Sequence, residues 1–261
     1  MEDLYYWVWL SRIKNLGNIR MKKILKLFHN PKAIWNLKRK ELLNIEGIGE
    51  KTADEILNPI YRKGINKIIR DMEKEKVSLI TINNKEYPKN LKEIYDSPII
   101  LYVKGNKEIL DEFSLAIIGC RDNSEYGRKV AEAIAKGLVK NNIITVSGLA
   151  RGIDSISQNA TVKANGKTIA VIGSGLDIIY PYENKKLAQE IIDNGGAIIS
   201  EYPLGTKPER LHFPARNRII SGMSSGVIVI EAKNKSGTMI TVDFALEQGK
   251  NVFVIPRKYN K

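Results

Sequence analysis

Through the first 75 residues, apolar side chains recur at short helical intervals: Leu4, Trp7, Val8 and Leu10, then Ile24, Leu25 and Phe28, then Ile65, Ile68, Ile69 and Met72. That spacing gathers them on one face of successive helices, and no strong β-run interrupts them. From about residue 77 the texture changes. Short β-branched runs ("VSLITI", "IILYV", "LAII", "IITV", "TIAVI", "AIIS", "VIVI" and "VFVI") alternate with helix-like stretches, the mark of a mainly parallel sheet covered by helices. The pattern predicts an all-helical domain over residues 1–75 and an α/β domain over 76–261. Residues 83–98, "NNKEYPKNLKEIYDSP", read as a lead-in between the two.

Length and composition sharpen this picture. A chain of 261 residues with 43% hydrophobic content buries a sizeable core. Its 42 Lys and Arg against 29 Asp and Glu give a formal charge of +13, which favours a polyanionic partner such as nucleic acid or an anionic membrane. The single cysteine, Cys120, excludes an internal disulfide and a zinc site built on several thiolates, and fits a reducing cytoplasm. No stretch approaches the roughly 20 apolar residues that span a bilayer, and "MEDLYYWVWLSRIKNLG" lacks the layout of an export signal.

In the helical part, "LLNIEGIGEKTADEI" (residues 42–56) places Gly47 and Gly49 around one apolar residue, with a helix expected from about Glu50. A hairpin of this kind exposes amides that, with the next helix N-terminus, hold a phosphate. It resembles a helix-hairpin-helix (SAM-like) DNA-binding motif, with Gly47, Gly49 and Lys51 as candidate duplex contacts; such hairpins also serve as packing corners or protein-docking modules. Gly17, in "IKNLGNIRMKKIL", is the candidate for a degenerate second copy.

Several strands of the α/β part end in similar chemistry. "LAIIGCR" ends at Gly119, Cys120 and Arg121; "IITVSGLARGID" at Ser147 and Gly148; "TIAVIGSGLD" at Gly173, Ser174 and Gly175. In a parallel sheet these carboxyl ends share one edge, the usual ligand site, where glycines admit a close ligand and helix N-termini favour anions. Arg151 is within reach of that edge, and Asp154 either caps a helix or holds an arginine. None of these loops fits G-x-G-x-x-G, and there is no G-x-x-x-x-G-K-[ST] loop.

"HFPARNRIIS" (residues 212–221) supplies cations: with a helix expected after Pro214, Arg216, Asn217 and Arg218 fall in its first turn, where guanidinium forks suit phosphate. Alternatively an arginine pairs with Asp154, Glu201 or Glu231 and only orders the loops, a choice left open for Arg218. "EAKNKSGTMIT" sets Ser236, Gly237 and Thr238 at another helix start, a fourth amide-rich cradle. Tyr180 and Tyr182 are the nearest aromatics for stacking bases, or else core residues.

Taken in order, "IIGCR", "VSGLARGID", "TIAVIGSGLDIIYPYEN", "SEYPLG", "FPARNRIISG", "VIVIEAKNKSGTMIT" and "ALEQGKNVFVIP" resemble the DNA-processing protein A (DprA/Smf) family over almost the whole chain. The resemblance implies an extended Rossmann-like domain that binds single-stranded DNA without catalysis, forms a homodimer and loads the RecA recombinase in natural transformation; it makes Arg121 the key DNA-binding arginine. Four departures stand out. Cys120 replaces a usual serine, and packing rather than reactivity is expected of it. Gln158 replaces a usual histidine, which removes proton transfer there. Arg257 follows Pro256 where glycine is common, and a C-terminal winged-helix-like domain that many members carry does not follow Lys261.

The alternative is a nucleotide-binding or nucleotide-cleaving phosphoribohydrolase with a G-G-x-G-T-x-x-E block. Aligned on Gly237 and Thr238, "KSGTMIT" places Thr241 at the glutamate position, so the carboxylate for glycosidic chemistry is missing. The only histidines, His29 and His212, sit in no nucleophile motif. No cofactor and no clustered metal ligands are expected.

Overall fold

A computed structural model of the chain describes residues 2–14, 16–233 and 236–256. Six helices come first: α1 (Glu2–Arg12), α2 (Asn18–Phe28), α3 (Pro31–Trp35), α4 (Arg39–Leu43), α5 (Glu50–Leu57) and α6 (Ile65–Lys74). The α/β part follows as β1 (Val77–Thr81), α7 (Lys89–Lys92), β2 (Ile100–Gly105), β3 (Ser114–Gly119), α8 (Glu125–Lys140), β4 (Ile144–Ser147), α9 (Ile153–Lys163) and β5 (Thr168–Val171). It ends with α10 (Lys185–Asp193), β6 (Ala197–Ser200), α11 (His212–Met223), β7 (Gly226–Glu231), α12 (Gly237–Glu247) and β8 (Asn251–Val254).

The eight strands form one sheet in the order β1-β2-β6-β5-β4-β3-β7-β8. From β6 to β8 all neighbours are parallel, and only β1 and β2 join antiparallel. The α/β class with a mainly parallel sheet is thus as expected. β4, β5 and β6 are buried at every position because helices cover both faces, which is why their sequences run apolar instead of alternating.

On one face, Ile117, Ile228 and Ile230 pack with Ala131 and Ala135 of α8 and Ile153 and Ala160 of α9. On the other, Ala116, Ile118, Val146 and Val229 pack with Ile219 and Ile220 of α11 and Leu91 of α7. From Arg216 to Met223, α11 is buried at every residue, so it lacks the polar stripe of a surface helix. The apolar cluster of the first six helices, around Trp9, Ile24, Ile34 and Ile56, runs on through Ile100, Tyr102 and Ile198 of the sheet. Tyr102 Oη lies 2.8 Å from Ser11 Oγ across this boundary. Among the described residues no helix is long and apolar enough to cross a membrane.

Candidate nucleic-acid interface

β3 lies between β4 and β7, so the chain leaves it first to one side and returns later on the other. Such a switch of strand order leaves a gap at the carboxyl edge, and a crevice of about 820 Å³ opens there. Its wall is built from Gly119, Cys120, Arg121 and Asp122 after β3, and from Ser236, Gly237 and Thr238 at the start of α12. A register shift between Ile118 and Gly119 breaks the β3–β7 ladder where this wall begins; bulges of this kind re-aim the residues that follow. Phe213, Arg216 and Asn217 of α11, with Tyr180 and Arg210, line it further.

The segment 146–154 does something other than expose amides. Gly148 N donates to Asp154 Oδ2 at 3.2 Å, its carbonyl accepts from Arg216 Nη1 at 2.5 Å, and Leu149 N donates to Gln158 Oε1 at 3.1 Å. Both polar groups of Gly148 are therefore held inside the protein. A Cβ at Gly148 would stand 2.5 Å from Arg216 Nη1, so the glycine makes room for a guanidinium. Gly152 has φ 79°, and a Cβ there would stand 2.4 Å from the carbonyl oxygens of both Cys120 and Arg121. That glycine lets the loop after β3 cross the start of α9. Leu149, buried with φ 53°, completes the tight path; a non-glycine residue held there is strained.

Arg216 is buried, and Nη1 also donates to the Val171 carbonyl. It thereby ties the ends of β4 and β5 together, while its Nε has no hydrogen-bond partner. Burial pulls this guanidinium down to about 10 against the opposing effect of Asp154. Burial likewise pushes the Asp154 carboxyl upward, against Arg216. Arg218 lies two positions on, on the opposite side of the helix, and it does not line the crevice. Its Nε contacts Asp96 Oδ2 at 3.0 Å and its Nη2 contacts Glu201 Oε2 at 2.5 Å. Burial opposes its charge, and Glu201 and Asp96 outweigh burial to hold it above the ordinary arginine value. Of the two readings of Arg218, the geometry favours the ion pair.

α11 begins at His212, earlier than expected, with Pro214 inside its first turn. That is tolerated because the first amides of a helix need no partner within it, and it moves Arg216–Arg218 into the second turn.

Other candidates also lie off the crevice. Ser147 is fully buried and donates to Ile117 O at 2.7 Å. Ser174 donates to Ile178 O at 2.6 Å, Gly175 N donates to Thr206 O at 2.9 Å, and Gly173 packs against His212; this trio shapes the loop that delivers Tyr180. Arg151 forms a two-point pair with Glu183, 2.9 Å and 2.7 Å. Gly47 and Gly49 sit at the hairpin before α5 and Lys51 in the first turn of α5, all outside the lining residues, with open space around both glycines. Gln158 is fully buried and donates to Thr168 Oγ1 and Ile169 O, a scaffolding role. Cys120 is buried, and Sγ donates to Asp122 O. Arg257 lies outside the described residues.

The charges that remain are positive. Arg121, Arg210, Arg216 and Lys233 line the crevice against Asp122 and Asp154; Lys233 pairs with Asp122 at 3.4 Å. Arg121 and Arg210 are exposed and, among the described residues, without an ion-pair partner. Among the described residues no side chain caps the N-terminus of α12, where Asn217 Nδ2 donates to Gly237 O at 3.1 Å. Arg210, Phe213 and Gly152 were missed in the sequence; the basic "KPERLHF" run just before "PARNR" was the available signal for Arg210. No group of three or more His, Cys, Asp or Glu among the described residues is placed to hold a metal.

The fold recurs in known proteins. Residues 78–261 match the family described as DNA recombination-mediator protein A. Over 96% of its length the chain is 36% identical to the protein Smf of Synechocystis sp., of which it spans 64%, less than two thirds. The solved DNA processing protein A of Streptococcus pneumoniae superposes with a TM-score of 0.80 at 38% identity, covering 97% of this chain and 87% of that one. The DNA processing protein A of Helicobacter pylori, solved to study its single-stranded DNA binding mode, gives 0.65 at 37% identity, covering 71% of this chain and 83% of that one.

Proposed function

The chain belongs to the DNA recombination-mediator protein A family, and from that premise we propose that its crevice grips the backbone of single-stranded DNA without catalysing a reaction on it. One observation carries the reading: two exposed arginines, Arg121 and Arg210, share a crevice with the start of α12, and among the described residues neither arginine has an ion partner and no side chain caps that helix. Guanidinium forks and helix-end amides suit phosphate oxygens, and they read no base edge. The strand is then held largely regardless of sequence, with an affinity that falls steeply with salt. The single-stranded DNA binding mode studied for the Helicobacter pylori relative supports the same ligand. Gly119 and Gly237 border the path, and Ser236, Thr238, Asn217 and Arg216 support it. Gly148, Ser147, Arg151, Arg218 and the 173–175 turn act behind it as scaffold.

The recombination-mediator description of the family supports a further step in which a homodimer of the chain hands the strand to RecA recombinase during natural transformation. The hairpin at Gly47 and Gly49, with Lys51, serves as a separate contact for duplex backbone.

The competing reading is nucleotide cleavage, favoured by one observation: a buried carboxylate, Asp154, lines the crevice. Asp154 is committed to Gly148 N, and Thr241, at the position where a catalytic glutamate is wanted, is a buried hydroxyl. Gel shifts of labelled single- and double-stranded oligonucleotides, run beside a mononucleotide hydrolysis assay, separate the two. The proposal expects tighter binding of the single strand and no released base. Equal binding of duplex, or base release, would overturn it.

A further inference from the structure

Leu149 holds φ 53° with its side chain fully buried, and a bulky residue keeps that conformation only where its surroundings impose it. Side chains claim both of its backbone groups. Its amide donates to Gln158 Oε1 at 3.1 Å, and its carbonyl accepts from Asn184 Nδ2 at 2.9 Å. Gln158 comes from α9 and Asn184 from the turn that leads into α10, so two separate elements close on one residue. Asn184 is buried, and neither it nor Gln158 lines the crevice.

This clamp sets the direction in which the chain leaves Leu149. Three residues later, Gly152 lies so close to the loop after β3 that a Cβ on it would stand 2.4 Å from Arg121 O and 2.7 Å from the Arg121 carbonyl carbon. One residue further, Ile153 N donates to Cys120 O at 3.3 Å. The backbone of Arg121 thus rests on the segment that Leu149 turns. We infer that Asn184 and Gln158 are positioning residues for Arg121: by fixing Leu149 they fix Gly152, and through it the stem from which the exposed guanidinium reaches a phosphate. This inference rests on the single-strand reading above. A loop held in place before the strand arrives loses less conformational entropy on binding, so more of the phosphate contact appears as affinity.

The test falls on Asn184, because Gln158 is enclosed in the core. Asn184→Ala removes the side chain, and Asn184→Leu keeps its bulk without the donor. Fluorescence polarisation with a labelled single-stranded oligonucleotide and thermal melts are run on wild type, both Asn184 variants, Arg121→Ala and the double variant Asn184→Leu with Arg121→Ala. We expect each Asn184 variant to bind about 3- to 10-fold more weakly than wild type, the scale of one neutral hydrogen bond. Added to Arg121→Ala, Asn184→Leu should change affinity by less than about 2-fold, while it lowers the melting temperature equally in both backgrounds. A residue that only supports the fold would not give that split. Equal weakening in both backgrounds overturns the inference, since Asn184 would then act on the crevice by another route. Normal binding by the Asn184 variants, or by Arg121→Ala, overturns it as well. Absence of single-strand binding by wild type sinks the functional reading itself.

Discussion

Gly148 faces the guanidinium of Arg216 so closely that a Cβ on the glycine would stand 2.5 Å from Nη1 and 2.7 Å from Nη2. A glycine-bearing loop of the sheet edge is thus shaped by a protein cation. Arg216 bonds the carbonyls of Gly148 and Val171, Asp154 takes the Gly148 amide, and the loop presents a finished surface to the crevice. The arginine ties two strand ends that would otherwise carry unsatisfied carbonyls.

Gly148→Ala is therefore expected to lower stability, by about 1–3 kcal/mol as an overpacked site does, before it obstructs DNA. Denaturant unfolding of Gly148→Ala in the wild-type and Arg216→Ala backgrounds checks this. The cost should shrink by more than half once the guanidinium is gone; an equal cost in both would show that Arg216 is not what the glycine accommodates.

Arg121 and Arg218 should separate cleanly. Arg121→Ala is expected to weaken single-strand binding by about 1–3 kcal/mol with an unchanged melting temperature, and to reduce the slope of log affinity against log salt by about 0.7. Arg218→Ala should instead destabilise the fold by about 3–5 kcal/mol, because it strands Glu201 and Asp96 without their partner. Polarisation titrations at several salt concentrations and thermal melts decide both. A stable Arg218→Ala that loses DNA would return Arg218 to the binding site.

Removing residues 1–75 uncovers the apolar surface around Ile100, Tyr102 and Ile198 and breaks the bond between Asn18 and Glu201. The remaining chain is expected to melt at a lower temperature and to bind a hydrophobic dye. Measured while folded, it should keep most single-strand affinity and lose duplex binding. Loss of both together would contradict the division of labour proposed for the hairpin.

Cys120 should resist thiol reagents. Burial, with Glu231 nearby, pushes its pKa up, so at pH 8 less of it is the reactive thiolate than in a free cysteine. Ellman's reagent at pH 8 is expected to react well below the rate seen in the urea-unfolded chain. Comparable rates would mean that the thiol is open to solvent.

The local pattern of the chain carried the alternation of strands and helices, the parallel sheet and the helix starts at Glu50 and Gly237. These follow from period and from the conformational needs of individual residues, which are written in short windows of sequence. The same patterns marked the strand ends at Gly119 and Gly148 as special without saying what for. Whether a glycine at a strand end meets a phosphate, an arginine or an isoleucine depends on which distant element packs there. Gly119 faces Ile153, Gly148 faces Arg216, and Gly237 faces open space. Likewise Arg216 and Arg218 read alike as two cations in one motif. Only the burial of α11 on all sides, between the crevice and the Glu201–Asp96 pair, sent one to the strand ends and the other to the carboxylates, because residues two apart on a helix point in nearly opposite directions.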